Sequence, residues 1–293
     1  MNLRDYLQKT DQQKIALGHF NVSTIEVFNS IIKISAKLDL PVIIGVSQGE
    51  ANFFGIENIS QLVKFYQQKN IKIFLNADHF RDLEMVKQAA LNNFDSILFD
   101  AGELDLNNNI KKTQEAVKII KEINKEILIE GELGYLGTGS IIRDEIPMGA
   151  VIEESQMIKP EEAQKFVKDT GVDLIGPAVG NIHGIVKGYR ENLNFQRIKE
   201  LKEATSKYLV LHGASSIEDE KILKAIDSGI NIIHINTDLR IAWRKNLEES
   251  FKEMPQEIAP YKLLEKSQLE IEKILENKKY YFGTLVAWTV LLL

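Results

Sequence analysis

The chain has 293 residues, of which 44% are hydrophobic and 27% are charged, and its formal net charge is −6. These values are ordinary for a folded protein with one large α/β domain or two smaller ones. The acidic balance and the lack of a Lys/Arg-rich run argue against a nucleic-acid partner. Because the sequence contains no cysteine, disulfides, thiolate metal sites and a cysteine nucleophile are excluded.

The two ends of the chain differ in polarity. Residues 1–13 are polar and lack the apolar segment of a signal peptide, which predicts a cytoplasmic protein. Residues 284–293 (TLVAWTVLLL) are almost entirely apolar, but a transmembrane helix needs roughly 20 such residues, so no membrane partner is expected. We predict one domain at 1–283 and a tail at 284–293 that packs on the domain or on another subunit. A peripheral membrane contact and a tail foreign to the fold are the alternatives.

Eight short apolar runs alternate with amphipathic segments along the chain. The predicted strands are Ile15–Val22, Val42–Ser47, Lys72–Asp78, Asp95–Asp100, Ile127–Leu133, Asp173–Val179, Tyr208–Leu211 and Ile230–Asn236. The predicted helices are Thr24–Leu38, Ile59–Gln68, Arg81–Leu91, Asn108–Ile123, Pro160–Asp169, Phe195–Thr205, Glu218–Ser228 and Leu239–Phe251. This alternation predicts an α/β fold, a (β/α)8 TIM barrel. A doubly wound sheet is less favoured because no G-x-G-x-x-G follows the first strand.

Polar residues suited to catalysis or metal binding follow almost every predicted strand. They are Asn21, Ser47, Asp78, His79, Asp100, Glu132, His183, His212, Asn236 and Thr237. The strand ends of a barrel meet at one face, where active sites lie. Three of the chain's five histidines fall in this set beside carboxylates, which predicts a divalent metal site with imidazole ligands. Zinc suits three protein ligands and an open position best, with cobalt, manganese and iron as alternatives.

Glycine-rich and hydroxyl-rich turns beside these histidines indicate a phosphate site. The turns are Gly180–Gly188 (GNIHGIVKG), Gly213–Ser216 (GASS) and Asn236–Asp238 (NTD). The last two follow predicted strands seven and eight, the usual place for a phosphate site in a barrel. Ordinary turns and helix caps would use the same residue types. Their coincidence with the histidines favours a phosphorylated substrate held beside the metal.

These motifs resemble those of the class II (metal-dependent) fructose-bisphosphate aldolases and their tagatose-bisphosphate relatives. The resemblance runs from Gly18 to about Arg240. Its strongest parts are ADH at Ala77–His79, GELG at Gly131–Gly134, GNIHGIVKG at Gly180–Gly188, LHGASS at Leu211–Ser216 and NTDLR at Asn236–Arg240. It implies a lyase with a (β/α)8 barrel, assembled as a homodimer or homotetramer. The implied reaction cleaves fructose 1,6-bisphosphate reversibly to dihydroxyacetone phosphate and glyceraldehyde 3-phosphate.

The resemblance also implies roles in metal binding and catalysis. His79, His183 and His212 would hold zinc, which would act as a Lewis acid on dihydroxyacetone phosphate and stabilise its enediolate. Asp100 and Glu132 would contact an alternative zinc position or orient the ligands. Asp78 would be the acid/base at the hydroxyl of the bond being broken. Asn21 and Ser47 would line the pocket. The residues implied to bind phosphate are Gly184, Gly213, Ala214, Ser215, Asn236 and Thr237, with Lys187 near the phosphate or a monovalent cation.

Several positions depart from the family's pattern. Asn76 stands where the family has a histidine, and Phe80 stands where a glycine follows the metal ligand. His234 stands where an asparagine helps to hold the enediolate, so we predict that His234 is catalytic and supplies a similar hydrogen bond. His19 lies within the first predicted strand, and we expect it in the core or behind the ligands.

The long connection after predicted strand five contains a further departure. The family has a glutamate there that takes the carbon-bound proton, and the aligned position lies near Ser140. Four acidic residues of the connection could replace it, namely Asp144, Glu145, Glu153 and Glu154. Three functions stay open: an aldolase for fructose or tagatose bisphosphate or another phosphosugar, a phosphosugar isomerase or epimerase, and a barrel that binds a sugar phosphate without turnover.

Overall fold

A computed structural model describes residues 1–278. Its strands are β1 Leu17–Asn21, β2 Val42–Ser47, β3 Ile73–Phe80, β4 Ser96–Phe99, β5 Leu128–Leu133, β6 Ile142–Arg143, β7 Leu174–Pro177, β8 Ile185–Val186, β9 Tyr208–Leu211 and β10 Ile230–Ile235. Eight of them close a barrel in the order β1-β2-β3-β4-β5-β7-β9-β10, and every neighbouring pair is parallel. The predicted (β/α)8 barrel is therefore confirmed.

One helix precedes the first barrel strand, and the others follow barrel strands and cover their outer side. The helices are α1 Leu3–Gln13, α2 Ile25–Leu38, α3 Gln48–Phe54, α4 Ile56–Gln67, α5 Leu83–Leu91, α6 Leu106–Ile123, α7 Pro160–Thr170, α8 Phe195–Thr205, α9 Asp219–Asp227, α10 Thr237–Glu253 and α11 Pro260–Lys278. Every residue of β1 and of β10 is buried, because side chains on one face fill the barrel and those on the other meet the helices. Near-continuous apolar runs follow from this burial.

Helix α7 shows how the local sequence positions strand β5. Pro160 occupies its first turn, where a missing N–H costs little, and Gly171 ends it at φ 75°. Ala163 and Phe166 are three residues apart and face inward. A Cβ on Gly131 of β5 would lie 2.7 Å from the Phe166 ring, so this glycine lets the helix approach the strand. The packing fixes β5, which carries two glutamates of the site.

Three helices were not predicted from the sequence. Helix α1 begins with a capping box between Asn2 and Asp5, and the ring of Tyr6 on this helix lies 5.5 Å from that of Phe74. Helix α3 is a single short segment directly after β2. Helix α11 packs on α10 and α2, and its Glu272 forms a 2.6 Å ion pair with Lys33 of α2.

The long connection after β5 is tied to the connection after β7. Strands β6 and β8 form a two-stranded parallel sheet, in which Ile142 pairs with Ile185 and Arg143 with Val186. This sheet joins the two segments at the mouth of the barrel.

Over residues 1–278, no helix is both long and apolar enough to cross a membrane. The predicted tail at 284–293 lies outside the described residues, as do the last residues of the predicted domain. The division into a domain and a tail stays a prediction.

Candidate metal centre and active site

A cavity of about 390 Å³ opens at the carboxyl ends of the barrel strands. Its walls bring together most of the predicted site residues, which are Asn21, Ser47, Asp78, His79, Asp100, His183, Gly184, His212, Gly213, Ser215, His234, Asn236 and Thr237. Three predicted residues lie outside the walls. Glu132 is behind His79, Ala214 is buried in a short 3-10 turn, and Lys187 pairs with Asp144 at 2.8 Å with 65% of its side chain exposed.

All five histidines of the chain lie in one cluster. The ring of His79 is 4.8 Å from that of His183 and 4.6 Å from that of His212, measured between centroids. The ring of His212 is 4.2 Å from that of His234, which stacks on His19 at 3.4 Å. The cluster therefore joins the three predicted ligands to one histidine of β1 and one of β10.

Hydrogen bonds orient two of the three predicted ligands. His183 Nδ1 donates to the carbonyl oxygen of Gly137 at 2.7 Å. His212 Nε2 lies 2.7 Å from Glu130 Oε1, and it would donate to this oxygen when His212 Nδ1 binds a metal. Metal-binding histidines usually donate their second nitrogen to a carbonyl or carboxylate in this way. Each ring keeps one nitrogen for a metal, and Nδ1 of His212 lies 3.2 Å from Nε2 of His79.

The donor set fits a divalent metal ion. One ligand atom from each of His79, His183 and His212 lies within 4.8 Å of the others. Nitrogens that bind one tetrahedral zinc ion at about 2.0–2.1 Å are about 3.4 Å apart, so small side-chain shifts suffice. His79, Asp100 and Glu132 form a second group of the same size. His79 Nδ1 and Glu132 Oε2 are buried and lie 3.2 Å apart, but neither makes a hydrogen bond to a described residue. A cation bound by this group would satisfy both atoms.

The charges around the cluster also favour a cation. Burial lowers the pKa of His79, but the carboxylates of Asp78 and Glu132 outweigh burial and raise this pKa to about 10. Burial lowers the pKa of His183 and that of His212 to about 3. Without a metal ion, His79 is thus the protonated member of the three histidines, while His183 and His212 stay neutral. Burial also raises the pKa of Glu132 well above its usual value. A divalent cation would displace the proton from His79.

A bulge in β3 lets two adjacent residues face the same cavity. Side chains of a strand alternate between its faces, so Asp78 and His79 should point in opposite directions. The register between β3 and β4 shifts between Ala77 and Phe80, and His79 has φ 108°, a region that favours glycine. Such a conformation costs about 1–3 kcal/mol and persists only where the surroundings enforce it. The bulge brings His79 beside Asp78.

Asp78 is held as an ionised acceptor at the floor of the cavity. Its Oδ2 accepts a 2.9 Å hydrogen bond from Asn21 Nδ2. Its Oδ1 lies 3.4 Å from His79 Nε2 and 3.2 Å from His234 Nδ1. Burial raises the pKa of Asp78, but the neighbouring His79 and His234 outweigh burial and hold this pKa well below its usual range. The carboxylate is therefore ionised, and it can accept a hydrogen bond from a hydroxyl group in the cavity.

Two glycines of the barrel strands make room for the histidines. A Cβ on Gly45 of β2 would lie 2.1 Å from Cε1 of His19. A Cβ on Gly176 of β7 would lie 2.7 Å from Cδ2 of His212 and 3.0 Å from Oε1 of Glu130. Larger residues at these two positions would displace the rings.

The segments after β9 and β10 form a wall suited to an anion. Ser215 Oγ accepts hydrogen bonds from the backbone N–H groups of Asn236 and Asp238, both at 3.3 Å, and so caps α10. The start of this 17-residue helix lies at the cavity, where the helix dipole favours negative charge. Gly213 has φ 67°, and a Cβ there would lie 2.1 Å from the carbonyl oxygen of Ile182. A larger residue at this position would therefore displace the turn after β9.

Sequence reasoning missed the buried carboxylate of Glu50. Its oxygens accept hydrogen bonds from Asn21 Nδ2 at 3.0 Å, Ser23 Oγ at 2.8 Å and Arg240 Nη2 at 2.6 Å. Glu50 thus links the ends of β1 and β2 to the first turn of α10. Ser47 and Glu50 form a capping box, and this S-x-x-E pattern was a usable signal for α3 and for Glu50.

Two further contacts of the site were also missed. Glu130, which orients His212, precedes Glu132 by two residues on β5, and this alternation indicates that both face the barrel interior. Arg81 Nη2 donates to Asp100 Oδ2 at 2.7 Å and fixes that carboxylate beside the cavity. No sequence signal marked this ion pair, because the two residues follow different strands.

The four acidic candidates of the long connection do not reach the cavity. Asp144, Glu145, Glu153 and Glu154 are all absent from the walls that the described residues form, whereas Ser140 lines them. Asp144 instead pairs with the exposed Lys187. Whether any of the four replaces the loop glutamate stays a prediction.

Comparisons with known proteins place the chain in a family. The family model described as "Fructose-bisphosphate aldolase class-II" matches residues 1–285. The fructose-bisphosphate aldolase of Geobacillus stearothermophilus is 28% identical over 288 residues, which cover 97% of each chain. That of Staphylococcus aureus strain Mu50 is 29% identical with the same coverage. The crystal structure of the YdjI aldolase from Escherichia coli K12 matches with a TM-score of 0.80 at 29% identity, over 96% of this chain and 97% of that chain.

The closed barrel and the histidine cluster at the carboxyl ends of its strands define a barrel enzyme that could hold a metal ion. The chain belongs to the class II fructose-bisphosphate aldolase family, and it is a lyase. The family resemblance expected from the sequence motifs is thereby confirmed.

Proposed function

We propose that this protein is a zinc-dependent aldolase that reversibly cleaves fructose 1,6-bisphosphate to dihydroxyacetone phosphate and glyceraldehyde 3-phosphate. The observation that carries the proposal is the convergence of three histidines and the ionised Asp78 in one cavity beside an anion-binding wall. We further propose a cytoplasmic homodimer or homotetramer. Tagatose 1,6-bisphosphate, which differs only in configuration at carbon 4, is the second candidate substrate.

His79, His183 and His212 would hold the zinc ion, since their free nitrogens converge at the cavity floor. When bound, zinc acts as a Lewis acid that polarises the ketose carbonyl and stabilises the negative charge that develops as the carbon–carbon bond breaks. Glu130 and the Gly137 carbonyl hold two of the ligand rings in the required orientation. Asp100 and Glu132 flank His79 from the other side.

Asp78 would move the proton of the cleavage step. Its free Oδ1 takes the proton from the hydroxyl group on the departing half of the sugar, and in condensation it returns that proton. The hydrogen bond from Asn21 to Oδ2 keeps the other oxygen occupied and fixes the plane of the carboxylate. His234, which lines the cavity next to Asp78, would hydrogen-bond an oxygen of the substrate beside the reacting carbon.

The anion-binding wall would orient the sugar through its phosphate. Ser215, Asn236 and Thr237 lie at the start of α10 and line the cavity. Gly213 and Gly184 line it too, and they let their backbone pack against the carbonyl oxygens of Ile182 and Ile141. Binding energy from a remote phosphate can fix the reacting carbon near the metal and Asp78. A phosphate or monovalent-cation contact for Lys187 stays a prediction.

A substrate panel tests the proposal. The zinc-loaded protein is incubated with fructose or tagatose 1,6-bisphosphate, and triose phosphate is measured by a coupled assay. We expect triose phosphate from both sugars, with the higher kcat/KM for fructose 1,6-bisphosphate. A rearranged hexose phosphate without triose phosphate would instead identify an isomerase or epimerase. Tight binding without any product would support a binding barrel, the function favoured by the distance of the four loop acids from the cavity.

A further inference from the structure

His19 is completely buried and does not line the cavity, yet it touches a residue that does. Its ring stacks on that of His234 with a centroid distance of 3.4 Å and an angle of 2° between the planes. Such close face-to-face contact leaves the His234 ring little freedom to tilt toward β1. His234 is 6% exposed and lies at the cavity floor.

Three neighbouring strands hold His19 in place. Asn76 of β3 donates through Nδ2 to Ser96 Oγ of β4 at 2.8 Å, so its Oδ1 is the acceptor for His19 Nε2 at 3.0 Å. His19 Nε2 therefore carries the proton. On β2, Gly45 has no side chain, and a Cβ there would collide with the His19 ring. The orientation of His19 is thus fixed by its surroundings and not by His234.

A second metal ion does not explain this arrangement. One ligand atom from each of His19, Asp78 and His234 lies within 4.8 Å of the others. The lone pairs of imidazole nitrogens lie in the ring planes, however, and two parallel planes 3.4 Å apart do not meet at one ion. In this stack the ring of His19 instead supports the ring of His234.

We propose that His19 is a positioning residue that sets the ring of His234 for contact with the substrate, with Asn76, Ser96 and Gly45 as its support. This inference rests on the proposed function, in which His234 hydrogen-bonds the sugar. It connects two positions that depart from the family's pattern. Asn76 accepts a hydrogen bond from the edge of the His19 ring, and His234 stacks on the face of that ring. His19 itself touches no substrate.

A double-mutant cycle tests the inference. His19→Gln keeps a donor for Asn76 but removes the stacking ring, and we expect kcat to fall about 10-fold to 100-fold with KM changed less than about 3-fold. In a His234→Asn background the same substitution should lower kcat by less than about 3-fold, because its effect passes through His234. Asn76→Leu, which keeps the ring and removes its hydrogen bond, should give an intermediate loss that also disappears in that background.

Phe28→Leu is the matched control, since Phe28 is buried and outside the cavity. Its effect on kcat should be the same in both backgrounds. Equal losses from His19→Gln in both backgrounds would overturn the inference and leave His19 a core residue.

A readout without substrate separates this inference from the proposed function. With five histidines, an NMR spectrum of protein labelled at histidine Cε1 has five Cε1–H signals, and His234→Asn assigns that of His234. His19→Gln should shift the His234 signal by removing the ring current of the stack, whether or not the protein cleaves any sugar. An unchanged His234 signal would contradict the stacking even if the aldolase assay succeeds.

Discussion

His79 combines three properties that are rarely found in one residue. Its backbone lies in a region that favours glycine, its side chain touches three carboxylates, and its pKa is raised to about 10 against the effect of burial. The strain has a clear structural result, because it turns His79 to the same side as Asp78. The negative charge of the carboxylates favours the binding of a proton or a metal ion at His79.

Zinc binding is therefore expected to release a proton. At pH 7 the metal-free protein holds a proton on His79, whose pKa is about 10, and zinc must displace it. We predict the release of at least one proton per chain, measured by titration calorimetry in buffers of different ionisation enthalpy. Because deprotonation becomes easier as pH rises, the apparent affinity for zinc should increase at least about tenfold per unit from pH 6 to 8. A pH-independent affinity would refute the protonated state of His79.

At the scale of single residues, the sequence predicted the site residues that follow a strand and carry a reactive group. Asp78, His183 and His212 were found in this way, and all three line the cavity. Glu50 and Arg81 were missed because their roles depend on ion pairs between different strands. The stack of His19 on His234 depends on the register of β1 with β10, in which these two residues are partners. No local pattern encodes that register.

At the scale of elements, the barrel strands must leave space where the histidines lie. Gly176 of β7 faces both His212 and Glu130. We predict that Gly176→Ala displaces the His212 ring and lowers zinc affinity about 10-fold to 100-fold, as the loss of a ligand's support does. Zinc affinity is measured by competition with a chromogenic chelator.

Gly49→Ala is the control for this substitution. Gly49 is the second residue of helix α3 and lines the cavity, but a Cβ there would meet no heavy atom within 4 Å. Because that Cβ would touch none of the histidines, alanine should leave zinc affinity unchanged. Equal zinc affinities for Gly176→Ala and Gly49→Ala would show that β7 does not set the position of His212.

The predicted elements were those with a strong apolar pattern. The eight barrel strands were all located, since burial on both faces produces continuous apolar runs. Helices α1, α3 and α11 were not predicted. Helix α1 has few apolar residues, and helix α3 is only seven residues long. The paired strands β6 and β8 have two residues each, too few for any periodicity.

At the scale of the whole molecule, the barrel brings distant segments to one floor. Asn21 of β1, Asp78 of β3 and His212 after β9 meet at the cavity although they are far apart in sequence. The parallel topology explains this, because every strand ends at the same face. The sequence predicted this face correctly. The hydrogen bonds among its residues required the structure.

Zinc titration of the metal-free protein tests the central claim most directly. Fructose 1,6-bisphosphate is supplied in excess, and triose phosphate release is followed as zinc is added to the chelator-treated protein. We predict no release without metal and a rate that rises to a plateau at one zinc per chain, while His212→Ala neither retains zinc nor releases triose phosphate. Full cleavage by the metal-free protein, or no cleavage at saturating zinc, would contradict a zinc-dependent aldolase.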